Sequence, residues 1–237
     1  MNKAANEKIE ELIELSWLGL NESDDLSYIN PFELLTREDK ENPDLYLLSL
    51  FAKPENFYLT CKLLLDIEIS PQQQIALEEM WYRPFPLIVC SRGWSKTFTM
   101  ALYTVLRCIF LQGRKVVVTG AGFRQSKNFM NYVEKIWFNA PIIKEWFKNA
   151  PQKQGPFHDP DRWNLRIGES LITALPLGDG SVIRGERSND TIADEMASIN
   201  KDIFERVIAG FGVVTSSPVE AMKSAAKMKK MKENGFI

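Results

Sequence analysis

Apolar residues recur at helical spacing over Ile9, Leu12, Ile13, Leu15 and Leu18, with Glu7, Glu10, Glu11 and Glu14 between them. That pattern predicts an amphipathic, acidic helix. From Asn21 to Asp44 the chain is mostly polar and broken by Asn30-Pro31 and Asn42-Pro43, which predicts an irregular connection. Two further helical patterns follow, one over Leu45, Leu47, Leu48, Leu50 and Phe51, the other over Phe57, Leu59, Leu63, Leu64 and Leu65. Ser70-Pro71 then opens a helix through Met80, because proline suits a first helical turn.

Beyond Pro84 and Pro86 the period changes. Leu87-Ile88-Val89-Cys90 is a short apolar run between turn signals, as expected of a buried parallel strand. A polar turn over Ser91–Ser95 leads to a helix from Lys96 to about Leu111, and Gln112-Gly113 stops it. Lys115–Gly120 reads as a second buried strand, and a helix follows from about Ser126 to Phe138. Alternating strands and helices predict right-handed crossovers and a parallel sheet. Residues 150–168, punctuated by Pro151, Gly155, Pro156 and Pro160, read as a surface excursion. Strand patterns recur at Leu171–Leu175, Ser181–Arg184 after the Gly178-Asp179-Gly180 turn, Thr191–Ala193 and Val213–Thr215.

Composition alters this picture in one respect. The 237 residues carry a net charge of −2, but residues 1–80 hold 6 basic and 17 acidic side chains while residues 81–237 hold 23 and 14. An acidic front precedes a basic body, so the near-zero sum does not exclude a polyanionic partner. Cys61, Cys90 and Cys108 have no metal-ligand spacing, and their odd number suits a reducing compartment better than a disulfide framework. With His158 the only histidine, neither a His-rich metal site nor a Ser-His-Asp triad is expected. No apolar run is long enough to span a membrane, and the first residues are no signal peptide.

The chemistry concentrates in three places. Cys90-Ser91-Arg92-Gly93-Trp94-Ser95-Lys96-Thr97 sits between a predicted strand and a predicted helix, and its Lys-Thr end matches a P-loop. Backbone N–H groups there would bind phosphate oxygens, Lys96 would neutralise β/γ charge, and the Thr97 hydroxyl would ligate Mg²⁺. Cys90 and Ser95 stand where the general pattern has glycine. Thr191-Ile192-Ala193-Asp194-Glu195 has the form of a Walker-B strand, with Asp194 for the metal and Glu195 to polarise a water. A helix cap is the other reading of that pair. Thr215-Ser216-Ser217-Pro218 places small hydroxyl residues at a strand's C-terminal edge, where ligands bind in open α/β sheets, or forms an ordinary turn.

Together these segments resemble the ATPase domain of the large terminase subunit, the packaging motor of tailed bacteriophages. In that family the P-loop is commonly irregular and an arginine follows the serine after the first strand, as in Cys90-Ser91-Arg92 with Ser95-Lys96-Thr97. Asp194-Glu195 and Thr215-Ser216-Ser217 resemble its Walker-B and coupling motifs. Ile69-Ser70-Pro71-Gln72-Gln73-Gln74 resembles the segment that reads adenine, with Gln73 chosen and Gln72 and Gln74 open. The likeness spans about residues 57–218. It implies a P-loop NTPase (RecA/ASCE-like) α/β fold, a mostly parallel sheet flanked by helices. An acidic helical extension would occupy 1–56 and the ATPase domain 57–237.

The implied function is ATP hydrolysis with Mg²⁺ that moves double-stranded DNA into a procapsid. Glu195, Arg92 and Arg184 would be catalytic, and Gln73, Ser91, Gly93, Ser95, Lys96 and Thr97 would bind nucleotide. Thr97 and Asp194 would hold the metal, and Thr215, Ser216 and Ser217 would couple hydrolysis to movement. Arg92 would act within its own subunit, while Arg184, with Arg187 as its rival, would complete a neighbour's site. Such a cation is worth roughly 10³–10⁵ in rate. The implied partners are DNA, the portal of the procapsid, the small terminase subunit and further copies in a ring, taken as a pentamer, with a monomer expected in isolation. The implied location is the host cytoplasm, at the portal.

Trp94 would cover the phosphates or pack on the adjacent helix. Lys223, Lys227 and Lys230, with Lys229 and Lys232, give a face that could meet DNA phosphates or be merely solvated. The 19 residues after Pro218 contain only Glu220 and Glu233 as acids, too few for the family's two-metal nuclease, so an isolated motor domain is expected. Two other readings stand beside it: a helicase-like ATPase, which would need a second RecA-like domain, and a nucleotide-binding domain without turnover.

Overall fold

The computed structural model describes residues 43–83, 86–91, 93–120, 122–176, 188–195 and 199. The expected helix at 9–18, Arg92, the 181–184 strand with Arg184, Arg187, the Val213–Ser217 segment and the C-terminal lysine face lie outside the described residues.

Helix α1 (Pro43–Phe51) leads through a 3₁₀ turn (Pro54–Asn56) to α2 (Phe57–Leu64) and α3 (Pro71–Tyr82). Then come α4 (Lys96–Phe110), β1 (Lys115–Gly120), α5 (Phe123–Phe138) and α6 (Pro141–Trp146). Four strands complete the order: β2 (Gly155–Asp159), β3 (Arg162–Ile167), β4 (Ser170–Ala174) and β5 (Asp190–Asp194). No helix among the described residues is long and apolar enough to cross a membrane.

The sheet runs β2-β3-β4-β1-β5. Its core is parallel: β1 pairs with β4 from Lys115↔Leu171, and with β5 from Val116↔Asp190 to Gly120↔Asp194. β2 and β3 add two antiparallel pairings at the far edge. The architecture is therefore mixed α/β with a parallel core, less uniformly parallel than expected. Helices α4 and α5 pack on the sheet and on each other. Every residue of α4 from Thr99 to Phe110 is buried, which makes it the central helix. Burying side chains such as Leu102, Leu106 and Ile109 favours the fold by about 1.5–3 kcal/mol each.

Two expectations are corrected. Residues 150–168, expected as a surface excursion, instead supply two strands of the sheet, because β2 and β3 form a hairpin turning at Asp159–Arg162. The misleading signal is Pro156, which a strand tolerates only at an edge, and β2 is an edge. Among the described residues the Leu87–Cys90 run pairs with no strand, and Leu87 and Val89 are 70% and 86% exposed. Ile88 packs against the core while its neighbours point outward, so the run is one-sided. An unbroken apolar run cannot distinguish burial on one face from burial on two.

Two measurements follow from this packing. Gly168 turns the β3–β4 connection at φ +58, and a Cβ there would overlap the Gln112 carboxamide and come within 2.7 Å of the Phe147 ring. Gln112 is engaged, since its oxygen accepts from the Glu169 N–H at 2.9 Å. Gly168→Ala is expected to cost about 1–3 kcal/mol, read as a lower denaturation midpoint at unchanged m-value.

The cysteines provide the other measurement. Burial pushes the Cys61 thiol up to about 12, and Cys108 is raised for the same reason, whereas Cys90 is half-exposed. A thiol-disulfide reagent at pH 8 should therefore label one cysteine rapidly in the native chain and three in denaturant. The unfolded Cys61 thiol ionises near 9 and the native one near 12, so its contribution to stability falls as pH rises through that interval.

Candidate active site

The loop from Ser91 to Ser95 feeds α4 through two positive-φ residues, Gly93 at +88 and Ser95 at +66. The left-handed backbone at Ser95 explains why glycine is usual there. An L-residue pays about 1–2 kcal/mol for that conformation. The Ser95 side chain does not cap α4, whose first intrahelical bond runs from the Thr99 N–H to the Ser95 carbonyl at 3.0 Å. The preceding first-turn N–H groups are the kind that bind anions at a helix N-terminus.

Lys96 and Thr97 meet Asp194 and Glu195, although the two pairs stand nearly a hundred residues apart. The β1–β5 register sets Asp194 beside Gly120, at the C-terminal end of the parallel core. The Thr97 hydroxyl donates to Asp194 Oδ2 at 3.1 Å. Lys96 Nζ lies 3.3 Å from Asp194 Oδ1 and 3.3 Å from Glu195 Oε1. The Glu195 N–H donates to Asp194 Oδ1 at 3.0 Å. Asp194 is buried, whereas the Glu195 side chain is 54% exposed and its backbone is left-handed at φ +53. Of the three positive-φ non-glycine residues described, two thus flank this cluster.

Electrostatics hold Lys96 in its charged form. Partial burial works against the ammonium, but the charge of Asp194, the hydrogen bonds to both acids and the charge of Glu195 outweigh it. Its pKa stands above the ordinary lysine value. Asp194 spends its oxygens on Thr97, Lys96 and its neighbour's N–H, and the helix that Asp194-Glu195 would cap on the other reading lies outside the described residues.

Gln73 occupies a structural position. Its carbonyl accepts from the Ser70 N–H at 2.8 Å, completing the capping box of α3. Its amide donates to the Thr99 hydroxyl at 3.3 Å, and that hydroxyl donates to the Ser95 carbonyl at 3.1 Å. Gln73 thereby ties α3 to the residue that opens α4. Gln74 donates to the Pro54 carbonyl at 2.8 Å, and Gln72 is exposed. Ser91 is exposed and accepts from the Trp94 N–H at 3.4 Å.

Clefts lie on both sides of the 90–97 loop. One, of about 610 Å³, is largely apolar and runs between α3 and the 86–90 segment, with Met80, Ile88, Cys90 and Trp94 in its walls. Trp94 lines this cleft together with Met80 of α3. The other, of about 520 Å³, opens from Thr97, Asp194 and Glu195 onto the polar side of α5, where Gln125, Asn128, Asn131, Tyr132 and Lys135 line it. Sequence reasoning missed this wall. Its only trace was helical spacing of amides that carry no motif.

The residues fit a bound magnesium–phosphate group in donor type and spacing. Mg²⁺ takes oxygen ligands at 2.0–2.1 Å in an octahedron, whose adjacent ligands stand about 3 Å apart. The 3.1 Å between Thr97 Oγ1 and Asp194 Oδ2 matches that separation. Among the described residues no group of three or more His, Cys, Asp or Glu converges, so oxygens from phosphate or water would complete the shell. Comparisons of this chain with protein families, with curated proteins and with solved structures find no match.

Proposed function

We propose that this chain is the ATPase motor domain of a DNA-packaging terminase, a P-loop NTPase that hydrolyses ATP with Mg²⁺ to translocate double-stranded DNA. The observation that carries the reading is the convergence of Lys96 and Thr97 with Asp194 and Glu195, four side chains of the types phosphoryl transfer to water requires. First-turn N–H groups of α4 bind phosphate oxygens, and Lys96 turns from the carboxylates to the β/γ-phosphates. Thr97 and Asp194 hold the metal. When bound, Mg²⁺ neutralises charge on the phosphate oxygens. Glu195 orients the attacking water and accepts its proton, a task its exposed carboxylate can perform from the cleft.

The apolar cleft beside Trp94 suits a purine face, and Gln73 supports the loop through Thr99. Arg92, Arg184 or Arg187, and the Thr215–Ser217 relay enter on the resemblance alone. So do the ring of subunits, the portal, the small terminase subunit and the location in the host cytoplasm.

The test is Mg²⁺-dependent phosphate release by the full chain, with duplex DNA and procapsid components supplied. Wild type is expected to release phosphate and Glu195→Gln to fail. No release by wild type at high protein concentration would overturn the reading.

A further inference from the structure

Resting on the motor reading, we propose that the exposed face of α5 is the contact for the DNA backbone, placing track and hydrolysis site in one cleft. Arg124, Asn128, Asn131 and Lys135 follow one another at spacings of four, three and four, which makes a single stripe along α5, and all four are exposed. The stripe is about 16 Å long at the rise of an α-helix. It is basic at both ends and amide in the middle. Tyr132 flanks it, and Asn128, Asn131, Tyr132 and Lys135 line the cleft that begins at Asp194 and Glu195.

Every one of these side chains is a phosphodiester partner: cations neutralise phosphates, and amides and phenols donate to phosphate oxygens without reading sequence. The helix carries one acid, Glu134, set about a quarter-turn from the stripe and engaged by His158 Nε2 at 2.6 Å. The face is therefore positive without internal compensation, as a polyanion requires. The carboxylates lie at the Gln125 end of the cleft, since Gln125 packs against Gly120 next to Asp194. Lys135 stands ten residues further on, about 15 Å along the axis from Gln125. A phosphate at Lys135 would thus lie toward the end of the cleft away from Gln125.

The experiment is fluorescence anisotropy of a labelled 30-base-pair duplex titrated with the full chain, without nucleotide, across a salt series. Wild type is expected to bind with a negative log K–log salt slope. Lys135→Ala should shrink that slope by about 1. Asn131→Ala should weaken binding about threefold, and Lys135→Glu more than tenfold. Lys53→Ala, exposed and far from the stripe in sequence, should bind as wild type does. Thermal melts that match wild type establish that the variants fold.

Binding by Lys135→Glu within twofold of wild type and with the same slope would overturn the proposal. So would failure of wild type to bind the duplex at 50 mM salt. Phosphate release is measured separately: a chain that hydrolyses ATP while its α5 variants keep full affinity for duplex defeats this inference alone. A chain that binds through α5 but releases no phosphate defeats the motor reading.

Discussion

Glu195→Gln is expected to lower ATP turnover by about 10²–10⁴, the contribution of a positioned general base. Nucleotide affinity should stay within a few-fold of wild type. The substitution keeps the shape of the side chain and removes its charge and basicity. Its structural cost is small, because Glu195 is more than half exposed and its contact with Lys96 is a partly solvated ion pair, worth no more than about 1 kcal/mol. The melting temperature should therefore barely move while hydrolysis collapses. That separation of effects distinguishes a catalytic residue from a structural one.

Asp194 offers the contrast. It is buried and accepts from Thr97, Lys96 and the Glu195 N–H, so its replacement would disturb both the proposed metal site and the end of β5. For Glu195→Gln, single-turnover phosphate release at saturating ATP and Mg²⁺ is the measurement. A residual rate above one-tenth of wild type would remove Glu195 from the mechanism. The variant also relieves Lys96 of one of the two acids that hold its pKa up. The ammonium nevertheless remains protonated at neutral pH, so the loss cannot be assigned to a discharged lysine.

What could be read in advance follows from how local each signal is. Ser70-Pro71 marks the start of α3 because proline suits a first helical turn, and the helix opens there, with a capping box between Ser70 and Gln73 that the proline signal did not announce. Lys96-Thr97 and Asp194-Glu195 were legible as separate motifs, because each requires few residue types in fixed order. Their meeting depends on β5 pairing with β1 in the register that sets Asp194 beside Gly120, and no local pattern contains that register.

The β2–β3 hairpin was missed because Gly155, Pro156 and Pro160 are loop-forming residues in isolation; only the position of β2 at the sheet edge makes Pro156 harmless. Leu87–Cys90 misled in the opposite sense, since apolarity announces burial without saying on how many faces. Gln73 was legible as a polar residue in a nucleotide-type motif, but its engagement with Ser70 and Thr99 is a tertiary fact. The α5 stripe carried no motif, and only the fold brings it to the cleft of Glu195.

Asp190→Ala is expected to destabilise the chain by about 3–5 kcal/mol, the cost of breaking a buried ion pair from one side. Asp190 begins β5, and its carboxylate meets Arg107 of α4 at 2.8 Å and Arg114, just before β1, at 3.5 Å. Both arginines are about 5% exposed, so neither can turn to water when the carboxylate is removed. The Arg107 guanidinium also lies 5.2 Å from the Trp81 ring centroid and 5.5 Å from that of Tyr103. Trp81 in turn meets Phe57 edge-on at 4.8 Å. One carboxylate therefore pins the start of β5 to α4 and, through Arg107, to α2 and α3. For a domain of this size each kcal/mol shifts the midpoint by about 2–4 °C, so Asp190→Ala should melt at least 6 °C lower. Asp190→Asn keeps a hydrogen-bond acceptor and should fall between the two. The decisive measurement is a double-mutant cycle. With Arg107→Met in the background, one buried cation is gone and an apolar side chain fills its place, so Asp190→Ala should cost at least 1 kcal/mol less than in wild type. Additive losses would mean that Asp190 and Arg107 are not coupled. Because β5 is five residues long and ends in Asp194, slippage at Asp190 should reach the site too: Asp190→Ala is expected to weaken Mg²⁺–nucleotide binding even at temperatures where the chain remains folded.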